Sequence, residues 1–106
     1  MQLQTDFEQV LNRIIDESIK GAIGQSSALG IYYHLKDYGV NSDRLGEDPA
    51  ALEKAMVEIF KVGWSVFEKA ILSSLSKQLG LSEERFAHHS FVECINLARS
   101  EFSSRS

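Results

Sequence analysis

Residues 48–80, DPAALEKAMVEIFKVGWSVFEKAILSSLSKQLG, decide the fold. Asp48 can cap a helix N-terminus, and Pro49 suits the first helical position because its missing N–H would go unpaired there anyway. Leu52, Ala55, Met56, Ile59 and Phe60 then recur at three- and four-residue spacing and share one helical face. Gly63 interrupts the pattern, after which Val66, Phe67, Ala70, Ile71, Leu75 and Leu79 form a second stripe. Gly80 offers the left-handed position at which helices commonly end. The stretch reads as two consecutive helices, bent or broken near Lys61–Trp64, with Phe67, Ile71 and Leu75 turned inward.

On the N-terminal side, Thr5 or Asp6 starts a helix with Glu8 in its first turn. Phe7, Val10, Leu11, Ile14, Ile15 and Ile19 make a strong amphipathic stripe that ends near Gly21 or Gly24. Ser26 or Ser27 opens the next helix, which carries Leu29, Ile31, Tyr32, Leu35 and Tyr38 before Gly39. Gly30 inside it is read as a point of close helix packing. Residues 40–47, VNSDRLGE, are rich in turn formers. On the C-terminal side, Ser82 followed by Glu83 and Glu84 is a helix-start signature. Ser90 can cap a last helix carrying Phe91, Val92, Ile95, Leu97, Ala98 and Phe102, which leaves 82–88 as a single turn or short helix.

One short echo runs through the chain. Residues 38–45, YGVNSDRL, align with residues 79–86, LGLSEERF. In both, a helix ends at glycine, an apolar residue tucks back, and Leu45 or Phe86 points inward. No stretch alternates with period two. The expectation is an all-α bundle of about five helices around a central pair, in one domain. An N-terminal amphipathic helix (1–24) joins a helical core (25–102) and a frayed tail (103–106).

Composition bounds the function. A chain of 106 residues can bury roughly 65% of its unfolded surface and fold unaided. Hydrophobic residues make up 43% and charged residues 25%, ordinary values for a globular protein. The N-terminus has neither a basic segment nor an apolar run, and no stretch approaches the roughly 20 apolar residues that cross a bilayer. A cytoplasmic protein with no membrane association is expected. Net charge is −4 and the pI near 5.3, which argues against nucleic acid. The charge is uneven: residues 41–60 hold five acids against two bases, and residues 61–80 three lysines against one acid.

Residues 30–81 resemble a small archaeal family, the output domain of nitrifying-archaeal signalling proteins (NitrOD-like). The resemblance rests on GIYYHLKDYGV, on Asp48-Pro49 with Leu52, and on KVGWSVFEKAIL; LSKQLGLSEERFAHHSFVECI adds to it. These are packing residues rather than chemistry. Family members commonly carry a second glycine at the Phe60–Gly63 bend, where this chain has Lys61 and Val62. The resemblance implies a compact helical domain, sometimes attached to sensory modules. It transfers no catalytic residue.

Few residues carry a chemical signature. His88, His89, Glu93 and Cys94 form the one cluster with metal-site spacing, since His89 and Glu93 are a helical turn apart. A zinc site needs three or four ligands, and His34 would have to come from a distant helix, so no metal is assigned. Cys94 cannot form an intramolecular disulfide, and beside Glu93 it reads as a small buried hydrophobe. Glu83 and Glu84 are favourable charge near a helix start rather than an acid–base pair. No serine sits in a nucleophile elbow and no phosphate loop is present, so neither a catalytic residue nor a cofactor is assigned.

The leading reading is a non-enzymatic helical interaction module of the signal-output kind, self-associating as a homodimer. Phe7, Leu11, Ile14, Ile15 and Trp64 are the candidate interface, because the first helix has a wide apolar face and aromatics favour interface centres. The competing use of the same face is to close the chain's own core. Two alternatives stand beside this reading. ILSSLSKQLGLSEERFAHHS (71–90) has helix-turn-helix spacing, though Glu83, Glu84 and Glu93 suit phosphates poorly. Tyr32, Tyr33, Trp64 and Phe67 could line a small-molecule pocket, or simply pack.

Overall fold

The computed structural model describes residues 6–104, which form five α-helices and three 3-10 turns, with no strand among them. The helices are α1 (Phe7–Ile23), α2 (Gln25–Leu35), α3 (Pro49–Phe60), α4 (Trp64–Leu79) and α5 (Phe91–Ser104). The 3-10 turns are Lys36–Tyr38 after α2, Lys61–Gly63 between α3 and α4, and Glu83–Phe86 before α5. The all-α expectation holds.

Local chemistry sets most of the boundaries. Asp6 caps α1, its carboxylate accepting the Gln9 N–H at 3.0 Å; Thr5, the other candidate cap, lies outside the described residues. Asp48 accepts the Ala51 N–H at 3.2 Å, and Pro49 takes the first helical position. Ser90 and Glu93 cap α5 reciprocally: the Glu93 N–H donates to Ser90 Oγ at 3.1 Å and the Ser90 N–H to Glu93 Oε1 at 2.9 Å.

The sequence echo is a repeated Schellman end. Gly39 and Gly80 both have left-handed backbones. The next residue reaches back each time, Val40 N–H to Leu35 O at 3.0 Å and Leu81 N–H to Ser76 O at 2.8 Å. Leu45 and Phe86 then turn into the core.

Helix α4 is the hub, packing against α1, α3 and α5, while α1 also meets α2 and α5. One apolar cluster draws on all five helices. Phe67, Ile71 and Leu75 are buried in it, as their spacing predicts. The 40–48 loop closes over α1. Leu45 is buried and its N–H donates to Asn12 Oδ1 at 2.7 Å.

Several expectations fail for tertiary reasons. Helix α2 begins at Gln25 directly after Gly24 (φ 87°), with no side-chain cap, so Ser26 and Ser27 lie inside its first turn. Tyr32 and Leu35 are buried as the stripe expects, but Leu29 is exposed while Ala28 is buried, and Tyr38 lies exposed in the 3-10 turn after α2. Val66 is also exposed. Gly30 meets no atom within 4 Å of a would-be Cβ and marks no close approach. That role belongs to Gly46, whose Cβ would lie 2.3 Å from Leu11 Cδ2. Helix α5 runs through Ser103 to Ser104; residues 105 and 106 of the expected tail lie outside the described part.

Candidate functional site

The five candidate interface residues Phe7, Leu11, Ile14, Ile15 and Trp64 are each at most 5% exposed. Helix α1 spends its apolar face on α4 and α2 within the same chain. Phe7 stacks near Phe102 (centroids 5.5 Å apart) under the Arg99 guanidinium, which also binds Glu8 at 2.8 Å. This corrects the placement of a two-fold contact on those residues, because none of them offers a surface to a partner.

The four aromatics do not converge on one cavity. Tyr33 is 71% exposed, with Lys36 near its ring. Tyr32 is buried, and its hydroxyl donates to Asp16 at 2.5 Å. Burial, then that hydrogen bond and the Asp16 charge, hold the phenol protonated well above its ordinary range. Asp16 in turn pairs with Lys20 at 3.1 Å. Phe67 packs on Phe60 with centroids 4.5 Å apart, and Trp64 stands edge-on to Phe91 at 5.1 Å.

Around His89 the geometry serves a helix cap. His89 Nδ1 lies 3.5 Å from Glu93 Oε1, the oxygen that also accepts the Ser90 N–H. The Ser90 N–H is the main reason the Glu93 carboxyl is held below its usual range. Cys94 is fully buried, and its thiol points toward the Phe86 carbonyl at 3.5 Å. Burial, reinforced by Glu68 and Glu93, pushes that thiol up, so it is a poor nucleophile. Among the described residues no group of three or more His, Cys, Asp or Glu is placed to hold a metal ion.

Residues 71–90 resolve into the end of α4, one 3-10 turn (Glu83–Phe86) and a loop. A four-residue turn is too short to lie along a groove as a recognition helix, and the next full helix begins only at Phe91. Beside this turn runs an open groove lined by Glu68, Lys69, Leu72, Ser73, Glu83 and Phe86. Glu68 is raised by burial and by the Glu53 charge, and Ser73 Oγ approaches Glu83 at 3.5 Å.

What sequence reasoning missed is which residue carries the unusual backbone of the α3–α4 elbow. The break falls where expected, yet Gly63 has an ordinary helical backbone (φ −65°) and the unusual conformation sits on Lys61 (φ 55°, ψ −131°). Val62 at the tip is 92% exposed, and Val66 one turn later is 60% exposed. Below the tip, Val66 and Ala70 face Ser18, Gly21 and Ala22 of α1 across a shallow groove. No helix among the described residues is long and apolar enough to cross a membrane. Comparison with protein-family models, curated proteins and solved structures gave no match for this chain.

Proposed function

We propose that this chain is a non-enzymatic helical interaction domain that meets a protein partner through the α3–α4 elbow. The observation that carries the reading is the pair Val62 and Val66, 92% and 60% exposed four residues apart beside a positive-φ backbone, which the exposed pair Leu29 and Tyr33 on α2 lacks. Contiguous exposed apolar surface marks contact sites, and these two valines stand four residues apart at one turn. Lys61 and Lys69 flank it without an acidic partner among the described ion pairs, which suits an acidic rim on the other side. A signal-output role of the kind the archaeal resemblance implies fits such a module, and self-association through this ridge would be one form of it.

The test places a photo-crosslinking amino acid at position 62 and, as control, at the exposed Gln78. A discrete adduct from position 62 that is absent from position 78, and lost in Val66→Asp, supports the reading. For self-association, light scattering should give a mass near twice 11.9 kDa that falls to one chain in Val66→Asp. A monomer that forms no adduct at position 62 refutes the proposal.

A further inference from the structure

Three departures from ordinary folding chemistry fall within four residues of the elbow. Lys61 (φ 55°, ψ −131°) adopts a backbone that L side chains enter only when their surroundings hold them there. Val62 stands in water. Trp64, at 5% exposure, buries an indole N–H that finds no hydrogen-bond partner among the described residues. A buried indole N–H ordinarily has a partner, and an orphaned one costs its full desolvation. The other sharp helix ends, at Gly24, Gly39 and Gly80, meet the same task with glycine, each donating its N–H to a backbone carbonyl. Among the described residues Lys61 and His88 are the non-glycine positions with positive φ, and of these Lys61 lies at the elbow that also holds the unpaired Trp64 donor.

Two aromatic contacts keep it shut. Phe60 packs on Phe67, and Trp64 seats its ring edge-on to Phe91 at the start of α5. Both depend on burial rather than on a directional bond, so they can part without breaking a helix ladder.

We propose that the α3–α4 elbow is a built-in opening point, at which Lys61 relaxes to an ordinary backbone and Trp64 leaves its seat on Phe91 while α1, α2 and the body of α4 stay folded. Opening removes the strain at Lys61 and gives the indole N–H to water; its cost is the aromatic burial. Such an imbalance is what places a segment at the low-stability end of a fold. The open form joins Trp64 and Phe91 to Val62 in one aliphatic–aromatic face. The opening itself needs no partner and stands or falls apart from the interaction reading above.

Trp64 is the single tryptophan of the chain, so its indole N–H gives one resonance whose hydrogen exchange can be followed by NMR. Relative to its intrinsic rate, it should exchange more than about tenfold faster than the Ile71 and Leu75 amides, and low urea should not accelerate it. Two variants identify the motion. Lys61→Gly relieves the closed state and should slow the indole about threefold to tenfold, glycine's added freedom in the open form offsetting part of the gain. Gly21→Ala strengthens α1, which stays folded in both forms, so it should slow Ile71 and Leu75 and leave the indole rate unchanged. An indole no faster than those core amides overturns the proposal. So does an indole that Lys61→Gly fails to slow, or one that Gly21→Ala slows as much as the core.

Discussion

Gly46→Ala should destabilise this protein, and the reason is space alone. Gly46 is buried in the 40–48 loop and its φ lies outside the left-handed region, so alanine can adopt the backbone. Its Cβ, however, would lie 2.3 Å from Leu11 Cδ2, 2.6 Å from Leu11 Cγ and 3.3 Å from Ile15 Cδ1. Carbon atoms in contact prefer about 3.5–4.0 Å, so Leu11 or the loop must move on the order of 1 Å. Leu11 and Ile15 are fully buried on α1, so neither can swing into solvent, and the loop is pinned by the bond from Leu45 N–H to Asn12. Overpacking of this kind costs about 1–3 kcal/mol, and the stiffer unfolded chain returns about 0.4–1 kcal/mol. The net loss is about 1–2 kcal/mol, or about 4–16 °C in Tm at this size. Gly30→Ala is the internal control. Its Cβ meets nothing within 4 Å on an exposed helical site, so the same exchange should stabilise by about 0.5–1 kcal/mol. Urea melts followed by circular dichroism at the helical band, with m unchanged, would measure both. A Gly46→Ala variant as stable as the parent would mean that the loop does not seat on α1 as described.

Phe67→Ala removes a buried ring and its packing on Phe60, and should cost about 3–5 kcal/mol in the same melt. A loss below about 1 kcal/mol would place the ring elsewhere. Ile15→Asp puts a carboxylate at a fully buried site and should abolish cooperative folding; retained helix content with a change only in association state would return α1 to an interface. Glu68→Gln should raise stability at neutral pH. Burial and Glu53 raise the folded carboxyl, so the folded state holds that proton more tightly than the unfolded chain. Stability is then lost as pH rises through the raised folded value, and the advantage of Gln should vanish once Glu68 is protonated. Urea midpoints of the two proteins at about pH 4 and about pH 7 decide it; a constant difference would refute the assignment. Glu93 has the opposite sign. Its carboxyl is lowered chiefly by the Ser90 N–H, so Glu93→Gln should matter above the carboxylate range and become silent as pH falls through the lowered value.

The parts legible in the sequence are those decided within a few residues. Asp48-Pro49, Ser90 with Glu93, and the two glycine ends at Gly39 and Gly80 satisfy backbone groups of their own segment, so residue type and spacing suffice. The α4 stripe is legible because a helix meeting three neighbours buries a wide face. Rotation of a helix about its own axis is not local. On α2, Leu29 and Ala28 are adjacent, and only the position of α1 decides that the small one goes in. Gly30 and Gly46 look alike as letters; the difference is a leucine supplied by another helix. The strain at the elbow was hidden for the same reason. Gly63 is the residue able to relax a turn, yet the aromatic packing of Phe60, Phe67, Trp64 and Phe91 fixes the path and puts the unfavourable backbone on Lys61.

Helix α1 shows why an apolar stripe cannot name its own partner. Phe7, Leu11, Ile14, Ile15 and Ile19 would look the same on a dimer face and in a core, because both uses remove the same carbon from water. What separates them is the surface left over. The chain exposes 6202 Å². A monomer of this mass is expected to expose about 6,000 Å². The wide face of α1 is therefore already spent inside the chain, and its burial creates no demand for a second copy. Any partner must be met by what the core did not absorb. Those side chains lie chiefly on α2, at Leu29 and Tyr33, and at the elbow, at Val62 and Val66. Of the two places, only the elbow also carries a strained backbone and an unpaired buried donor. Exposure on α2 is the ordinary residue of packing, whereas at the elbow the chain departs from its own helix-ending chemistry, and that difference is why we propose the contact there.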